Sequence, residues 1–270
     1  MRTWWRGLTV MDLRTPSFRR TEKSELVPEK LKNDAIVEAI FEIRFSTSTI
    51  PEVFFGRISE YEPWRDFKQA SLPISQFPVA LRQADPNLRY QPVIELLHER
   101  ERRAVRIGAN VISYSRGVPY IGWKAFKAEL DEVITGIFQK AKGLSIERLG
   151  LRYLNALRDD LHGIGSITDL NLALEIASER ITESVNVNIT TDRMSETACT
   201  VRIATMDIVQ GNLPPGTSVY VDVDVFTDNI GFETTDHEFV REWIERAHSK
   251  EKAQFFRLLT ESKIESLREK

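Results

Sequence analysis

A single cysteine, Cys199, occurs in the 270 residues, so no intrachain disulfide forms and a cysteine-rich zinc site is excluded. That usage fits a reducing compartment, and a cytoplasmic protein is expected. No run approaches the roughly 20 apolar residues that a membrane-spanning helix needs, so no membrane partner is expected. Nor is positive charge in excess: 37 Lys and Arg stand against 40 Asp and Glu, a formal net charge of −3. That balance supplies no global field for gathering phosphate backbones and ranks nucleic acid last among partners. No Walker sequence or GxGxxG occurs, and Gly163 and Gly165 do not follow a clear strand. The run from Met1 to Met11 is too short and interrupted for a signal-peptide core, and Met11 is a second candidate start.

What is present suits a folded chain. Hydrophobic residues make up 41% and charged residues 29%, enough for a core and against wholesale disorder. Residues 1–30 mix Arg14, Arg19, Arg20 and Lys23 with Asp12, Glu22, Glu25 and Glu29 without a sustained period, which predicts a loosely ordered arm. The rest divides into two stretches of similar pattern, 31–160 and 161–270.

In the first stretch, residues 35–45 form an apolar, partly β-branched strand. Thr49-Ile-Pro-Glu52 matches a capping box with Pro51 in the first turn, opening a helix that carries Phe54, Phe55, Ile58 and Tyr61. A proline-rich segment over 63–92 is expected to be irregular. Strands follow over 92–98, 104–108 and 110–115, the first two joined by a turn at Glu99–Arg103. Trp123, Phe126, Leu130, Val133, Ile134, Ile137 and Phe138 recur at steps of three and four. That spacing predicts a helix over 122–142, ended by Gly143, with a strand over 146–157 after it.

In the second stretch, 170–181 fits helix and strand equally, and strands are expected over 184–191, 199–208 and 218–227. Thr235–Glu238 matches a second capping box, opening a helix with Phe239, Trp243, Ile244 and Ala247. The apolar period lapses over Ser249–Lys252 and resumes at Phe255, Phe256 and Leu259, predicting a break or kink; a terminal helix carries Ile264 and Leu267. A helix with one apolar stripe needs a sheet to lie on. The expected fold class is therefore α+β: two similar halves, each an antiparallel sheet packed on a long amphipathic helix, joined through Leu151–Leu157.

Several segments carry a family resemblance: Asp34-Ala-Ile-Val-Glu-Ala-Ile40, Tyr120-Ile-Gly-Trp123 with Phe126, and Arg148-Leu-Gly-Leu-Arg-Tyr-Leu-Asn155, then Val221-Asp-Val-Asp224 and His248 with Phe255, Phe256 and Thr260. Together they resemble a sporadically distributed family of prokaryotic proteins of about this length, over nearly everything after residue 30. The resemblance implies no particular activity. Its patchy distribution implies a link to mobile or defence genes.

Candidate chemistry is sparse. Strand period puts Tyr220, Asp222, Asp224 and Phe226 on one face. Two carboxylates at i and i+2 stand roughly 7 Å apart and suit one divalent ion, Mg²⁺ or Mn²⁺. The structural alternative is that this face meets water or pairs with a neighbouring strand. Arg152 suits bidentate anion binding, such as phosphate; its alternative is a cross-strand carboxylate, with Gly150 permitting close helix packing. His98, His162, His237 and His248 show no metal spacing. His162 is expected in a loop, and His248 near a helix end, against terminal carbonyls. Cys199 is expected to be a buried, inert thiol. With no catalytic set in view, the leading expectation is a non-enzymatic interaction module that binds another protein or itself, with no required cofactor. The rival is a small-ligand, nucleotide or divalent-metal binding protein or enzyme, using a cleft with Arg152, Asp222 and Asp224.

Overall fold

Ala39, Phe41, Ile43 and Phe45 fall at alternate positions of the strand Ile36–Thr47 (β1), and all four are buried. A computed structural model shows how the rest of the chain uses the same alternation; it describes residues 27–28, 30–141, 143–209, 213–229 and 232–268. After β1 come the helix Pro51–Ser59 (α1), the strand Lys68–Ser71 (β2), the helix Val79–Ala84 (α2), and the strands Ile94–His98 (β3), Arg103–Ile107 (β4) and Val111–Gly117 (β5). The helix Trp123–Lys140 (α3) leads to the strand Leu144–Arg158 (β6) and the short helix Asp159–His162 (α4). A two-stranded ribbon of Glu175–Ile176 (β7) and Glu179–Arg180 (β8) precedes Asn186–Thr191 (β9), Ala198–Thr205 (β10) and Thr217–Phe226 (β11). The helices His237–Arg257 (α5) and Glu261–Leu267 (α6) complete the described chain.

The protein is α+β, built on one large antiparallel sheet of nine strands in the order β2-β3-β4-β5-β1-β6-β11-β10-β9. The two sheets expected from the sequence are thus continuous, because β1 pairs with β6 from Ile36 opposite Asn155 to Thr47 opposite Leu144. One face is apolar across the middle: Ala39 and Phe41 lie opposite Tyr153 and Leu151, which lie opposite Val223 and Val225. The helix α5 packs over β6, β10 and β11, and α3 packs against β5 and α5. In α3, Phe126, Leu130, Val133, Ile134 and Ile137 are buried, and in α5 Val240, Trp243, Ile244 and Ala247 are. Burial of apolar area on this face is the main stabilising term of the fold.

Some local expectations are corrected. Pro51 occupies the first helical position of α1, which puts Ile50, not Thr49, at the N-cap with no side-chain cap; the Thr49 N–H is taken by Thr47 Oγ1 at 3.1 Å. Tyr61 lies beyond the end of that helix. In α5 the cap is Asp236, which accepts the Glu238 N–H at 2.9 Å, rather than Thr235. The proline-rich segment contains an edge strand, β2, whose four residues are exposed. The helix α5 runs unbroken through Ser249–Lys252. His162 closes α4 and is buried, its Nδ1 accepting the Arg158 N–H at 3.0 Å. The expected arm over 1–30 lies, up to residue 26, outside the described residues; beyond it, Leu31 bridges to Arg268 and the Lys32 N–H reaches the Leu267 carbonyl at 2.8 Å.

Gly136 marks a close contact. A Cβ there would stand 2.5 Å from the Tyr61 ring, and that ring is held edge-on by Trp64 at 5.0 Å. Helix propensity favours Gly136→Ala by about 1 kcal/mol, but the ring must move. The substitution is expected to destabilise the protein by about 1–2 kcal/mol net, read as a lower urea midpoint; a raised midpoint would show that Tyr61 moves aside freely.

Candidate functional site

The face of the sheet away from α3 and α5 collects Arg152, Asp222 and Asp224. Arg152 lies diagonally across the β6–β11 pairing from Asp222 and closes a fork on it, with Nε donating to Oδ1 at 2.8 Å and Nη2 to Oδ2 at 2.6 Å. The Tyr220 hydroxyl also donates to Asp222, at 3.3 Å. Asp224 is held instead by Arg148 Nη2 at 3.3 Å, while Arg148 Nη1 donates to Glu42 at 2.9 Å. Gly150 has a role different from the helix contact expected of it: a Cβ there would stand 2.8 Å from Arg148 Nη1, so its absence lets the guanidinium lie across the strand and over the Phe226 ring. Further out, Arg106 binds Glu95 at 2.8 Å and Glu38 at 3.5 Å. The three sequence candidates are thus brought together as parts of a cross-strand charge ladder. Among the described residues no group of three or more His, Cys, Asp and Glu side chains is placed to hold a metal ion.

The fork sets an asymmetry. Asp222 is 5% exposed, whereas the Arg152 side chain is partly open to water. Removing the arginine strands a buried carboxylate, and removing the aspartate leaves a guanidinium that turns to solvent. Arg152→Ala is expected to cost about 3 kcal/mol and Asp222→Ala clearly less, measured by urea unfolding of both variants. Equal losses would contradict this account.

The opposite face holds a different arrangement. Where the apolar period of α5 lapses, Glu251 points inward. Its residue is 5% exposed, and its carboxylate has no hydrogen bond or ion pair among the described residues. It lines a cleft of about 1290 Å³ between the start of β1, the end of β6, the N-terminal part of α3 and the C-terminal half of α5. Desolvation pushes the Glu251 carboxyl up to about 8, with the negative charge of Asp34 acting the same way and Lys252 opposing. At neutral pH it is therefore mostly protonated.

One turn earlier, His248 lies flat on Trp123, ring centroids 3.8 Å apart. It is mid-helix because α5 does not break, so the contact with terminal carbonyls expected of it does not arise. Its Nδ1 is buried with no partner among the described residues, and burial lowers the imidazole to about 4, so it is neutral. On the sheet side, the hydroxyls of Tyr120 and Tyr153 meet at 3.2 Å, and burial raises both phenols well above their ordinary value. Asn155 is buried and turns its Nδ2 to the carbonyls of Tyr153 and Val221, each at 3.3 Å. Phe255 and Phe256 add apolar wall, and Asp34 stands exposed at the mouth.

This cleft gathers groups from residue 34 to residue 256, and none was singled out as a ligand contact from the sequence. Yet two signals were there. One is the lapse at Ser249–Lys252: a charged residue at a core position of an otherwise regular stripe is a buried polar group as readily as a helix break. The other is that the segments carrying the family resemblance, all but Val221–Asp224, contribute side chains to this cleft. Asp34, Tyr120 and Trp123 come from the first two, Tyr153 and Asn155 from the third, and His248, Phe255 and Phe256 from the last. Cys199 is elsewhere, buried in β10, with its thiol pushed up to about 12 by burial. Among the described residues no helix is long and apolar enough to cross a membrane. No protein-family model matches the chain, and no curated protein matches it.

Proposed function

We propose that this protein binds a small organic molecule in the cleft between α3, α5 and the β1–β6 strand pair. The observation that carries the reading is Glu251: a carboxyl in the floor of a cleft walled in part by aromatic rings, 5% exposed and with no hydrogen bond or ion pair among the described residues. Buried polar groups are nearly always satisfied, and one left open toward a cavity is a group waiting for a partner. Neutral His248, the Tyr120–Tyr153 hydroxyl pair and Asn155 supply further polar points in an apolar enclosure, the usual composition of a ligand site.

The same proposal takes the chain as two related halves. Support comes from the strand order, in which β3-β4-β5-β1 and β9-β10-β11-β6 have matching connectivity. Each of these sets is followed by a helix with one buried stripe, α3 or α5, and the cleft lies at the seam. Native-state hydrogen exchange tests the pairing: two halves fused at the seam protect β1 and β6 most, and weaker protection there than in β4 or β10 would argue against it.

The cleft reading is tested by amide and indole NMR of the full chain with a fragment mixture of aromatic amines, acids and neutral compounds. Shifts are expected to cluster at the Trp123 indole, His248 and Glu251, and to vanish in Ala128→Trp, which fills the mouth. Shifts scattered over the surface, or none, would refute the reading.

Phe77, Val79 and Leu81, each nearly half exposed within five residues, favour a second reading, the interaction module. Light scattering of the wild type and of Phe77→Ser/Leu81→Ser tests it. A concentration-dependent dimer lost in the variant supports self-association; a monomer throughout opposes it.

A further inference from the structure

The cleft's ligand can be narrowed by asking what Glu251 needs. Its surroundings hold three kinds of group. The rings of Trp123, Tyr120, Tyr153, Phe255 and Phe256 make an apolar wall, with Trp123 stacked on His248. The uncharged polar groups offer donors and acceptors alike: Asn155 spends its Nδ2 on two backbone carbonyls and keeps Oδ1 as an acceptor, neutral His248 has one ring N–H and one ring acceptor, and the Tyr120–Tyr153 pair keeps one O–H. Cations complete the lining, but Lys30, Lys252 and Arg268 each already make an interaction within the chain, and Lys124 is exposed on the first turn of α3. An anion reaching the floor would add to the negative charge of Asp34 and leave the Glu251 carboxyl without a counter-ion. A cation would meet a counter-ion and aromatic rings, the combination that binds organic ammonium groups.

We propose that the cleft takes an organic ammonium ligand, with the Glu251 carboxylate as its counter-ion and the surrounding rings as its walls. This rests on the cleft being a ligand site and names the class of ligand. The charge balance is simple. Free, the carboxyl is mostly protonated at neutral pH because of its burial. On binding, the O–H proton leaves to solvent and the carboxylate pairs with the ammonium, which keeps its own protons. The other titratable groups facing Glu251 shape the pH profile. Asp34 disfavours ionisation and Lys252 favours it. His248 stays neutral above about 4, and the Tyr120 and Tyr153 phenols stay protonated. Desolvation raises the Asp34 carboxyl as well, so release from Glu251 is recognised by its loss in Glu251→Gln.

The test is titration calorimetry of the full chain with benzylammonium, benzyl alcohol and benzoate at matched concentrations, in two neutral buffers of different ionisation heat, for wild type and Glu251→Gln. Glutamine keeps the shape and removes the charge, so the fold is expected to persist. The expected result is that benzylammonium binds best and releases close to one proton, and that Glu251→Gln weakens it roughly tenfold or more. Benzyl alcohol is expected to bind weakly and equally to both proteins. Benzoate or benzyl alcohol binding as well as benzylammonium, or Glu251→Gln leaving benzylammonium unchanged, overturns the ammonium assignment while the cleft reading stands. No binding by any of the three at millimolar concentration overturns both.

Discussion

Trp243→Ala is expected to lower the unfolding free energy by about 4 kcal/mol. Trp243 is the largest fully buried side chain among the described residues. It sits in the first half of α5, between Val240 and Ala247, where that helix covers β10 and β11. Truncation loses the transfer free energy of an indole and leaves a cavity that a nine-stranded sheet on one side and a continuous helix on the other cannot collapse to fill. It also releases the Glu196 carbonyl, which accepts the indole Nε1–H at 2.6 Å. Trp243→Phe separates the two effects: it keeps most of the volume and loses the hydrogen bond, and about 1–2 kcal/mol is expected. Urea unfolding with an unchanged slope checks both values. A loss under about 1.5 kcal/mol for the alanine variant would mean that α5 is not the clamp on the second half of the sheet.

The second large effect is in pH dependence. Glu251 has its folded value raised from an ordinary 4.5 to about 8. Below 4.5 the carboxyl is protonated in both states, and the group is neutral toward folding. As pH rises through the interval the unfolded chain ionises and the folded chain does not, so stability falls until about pH 8 and then levels. The full interval corresponds to at most roughly 5 kcal/mol. Glu251→Gln removes that decline, so the variant is expected to be more stable than wild type by several kcal/mol at about pH 8 and nearly equal to it at about pH 4.5. His248 pulls the other way: its value lies at about 4 against an ordinary 6.5, so stability is lost as pH falls through that range. The two opposed trends offset each other between about 4.5 and 6.5. Melting temperatures of both proteins across pH 4–9 are the measurement. A variant with the wild-type slope would show that Glu251 is hydrated and ionised. A stabilised variant that has lost its ligand is what a group kept for binding rather than for folding predicts.

The strands were legible because one face of the sheet is buried. Apolar residues fall at every second position at Val37, Ala39, Phe41, Ile43 and Phe45 in β1, at Leu149, Leu151 and Tyr153 in β6, and at Val219, Val221, Val223 and Val225 in β11, a period that no helix satisfies. The edge strand β2 was not legible: Lys68, Gln69, Ala70 and Ser71 are all exposed, so neither face imposes a pattern and only backbone pairing with β3 makes them a strand. In α5 local periodicity and tertiary packing disagree. Local periodicity treats Ser249–Lys252 as a break, yet Ala247 on one side and Phe255 and Phe256 on the other are anchored in the core, and tertiary packing carries the helix through. The charge ladder was half legible: the face of Asp222, Asp224 and Arg152 follows from strand period, but which arginine meets which carboxylate follows from the register of β6 on β11. The cleft was illegible as a place, since its walls come from residues 27–36, 120–128, 153–155 and 248–268, which only the closed sheet brings together.

The position of β1 has a consequence for how the chain is made. Among the described residues it is the first strand of the sheet to be synthesised, and its two neighbours are β5 and β6. Local hairpins can close β3, β4 and β5 early and bring β1 onto β5. The other edge of β1, with Phe41 and Ile43 beneath it, stays open until Leu144–Arg158 has left the ribosome. At roughly 5–20 residues per second, that leaves a bare hydrogen-bonding edge for many seconds. Nascent-chain truncations ending before residue 144 should therefore associate through β1, and those extending past residue 158 should not.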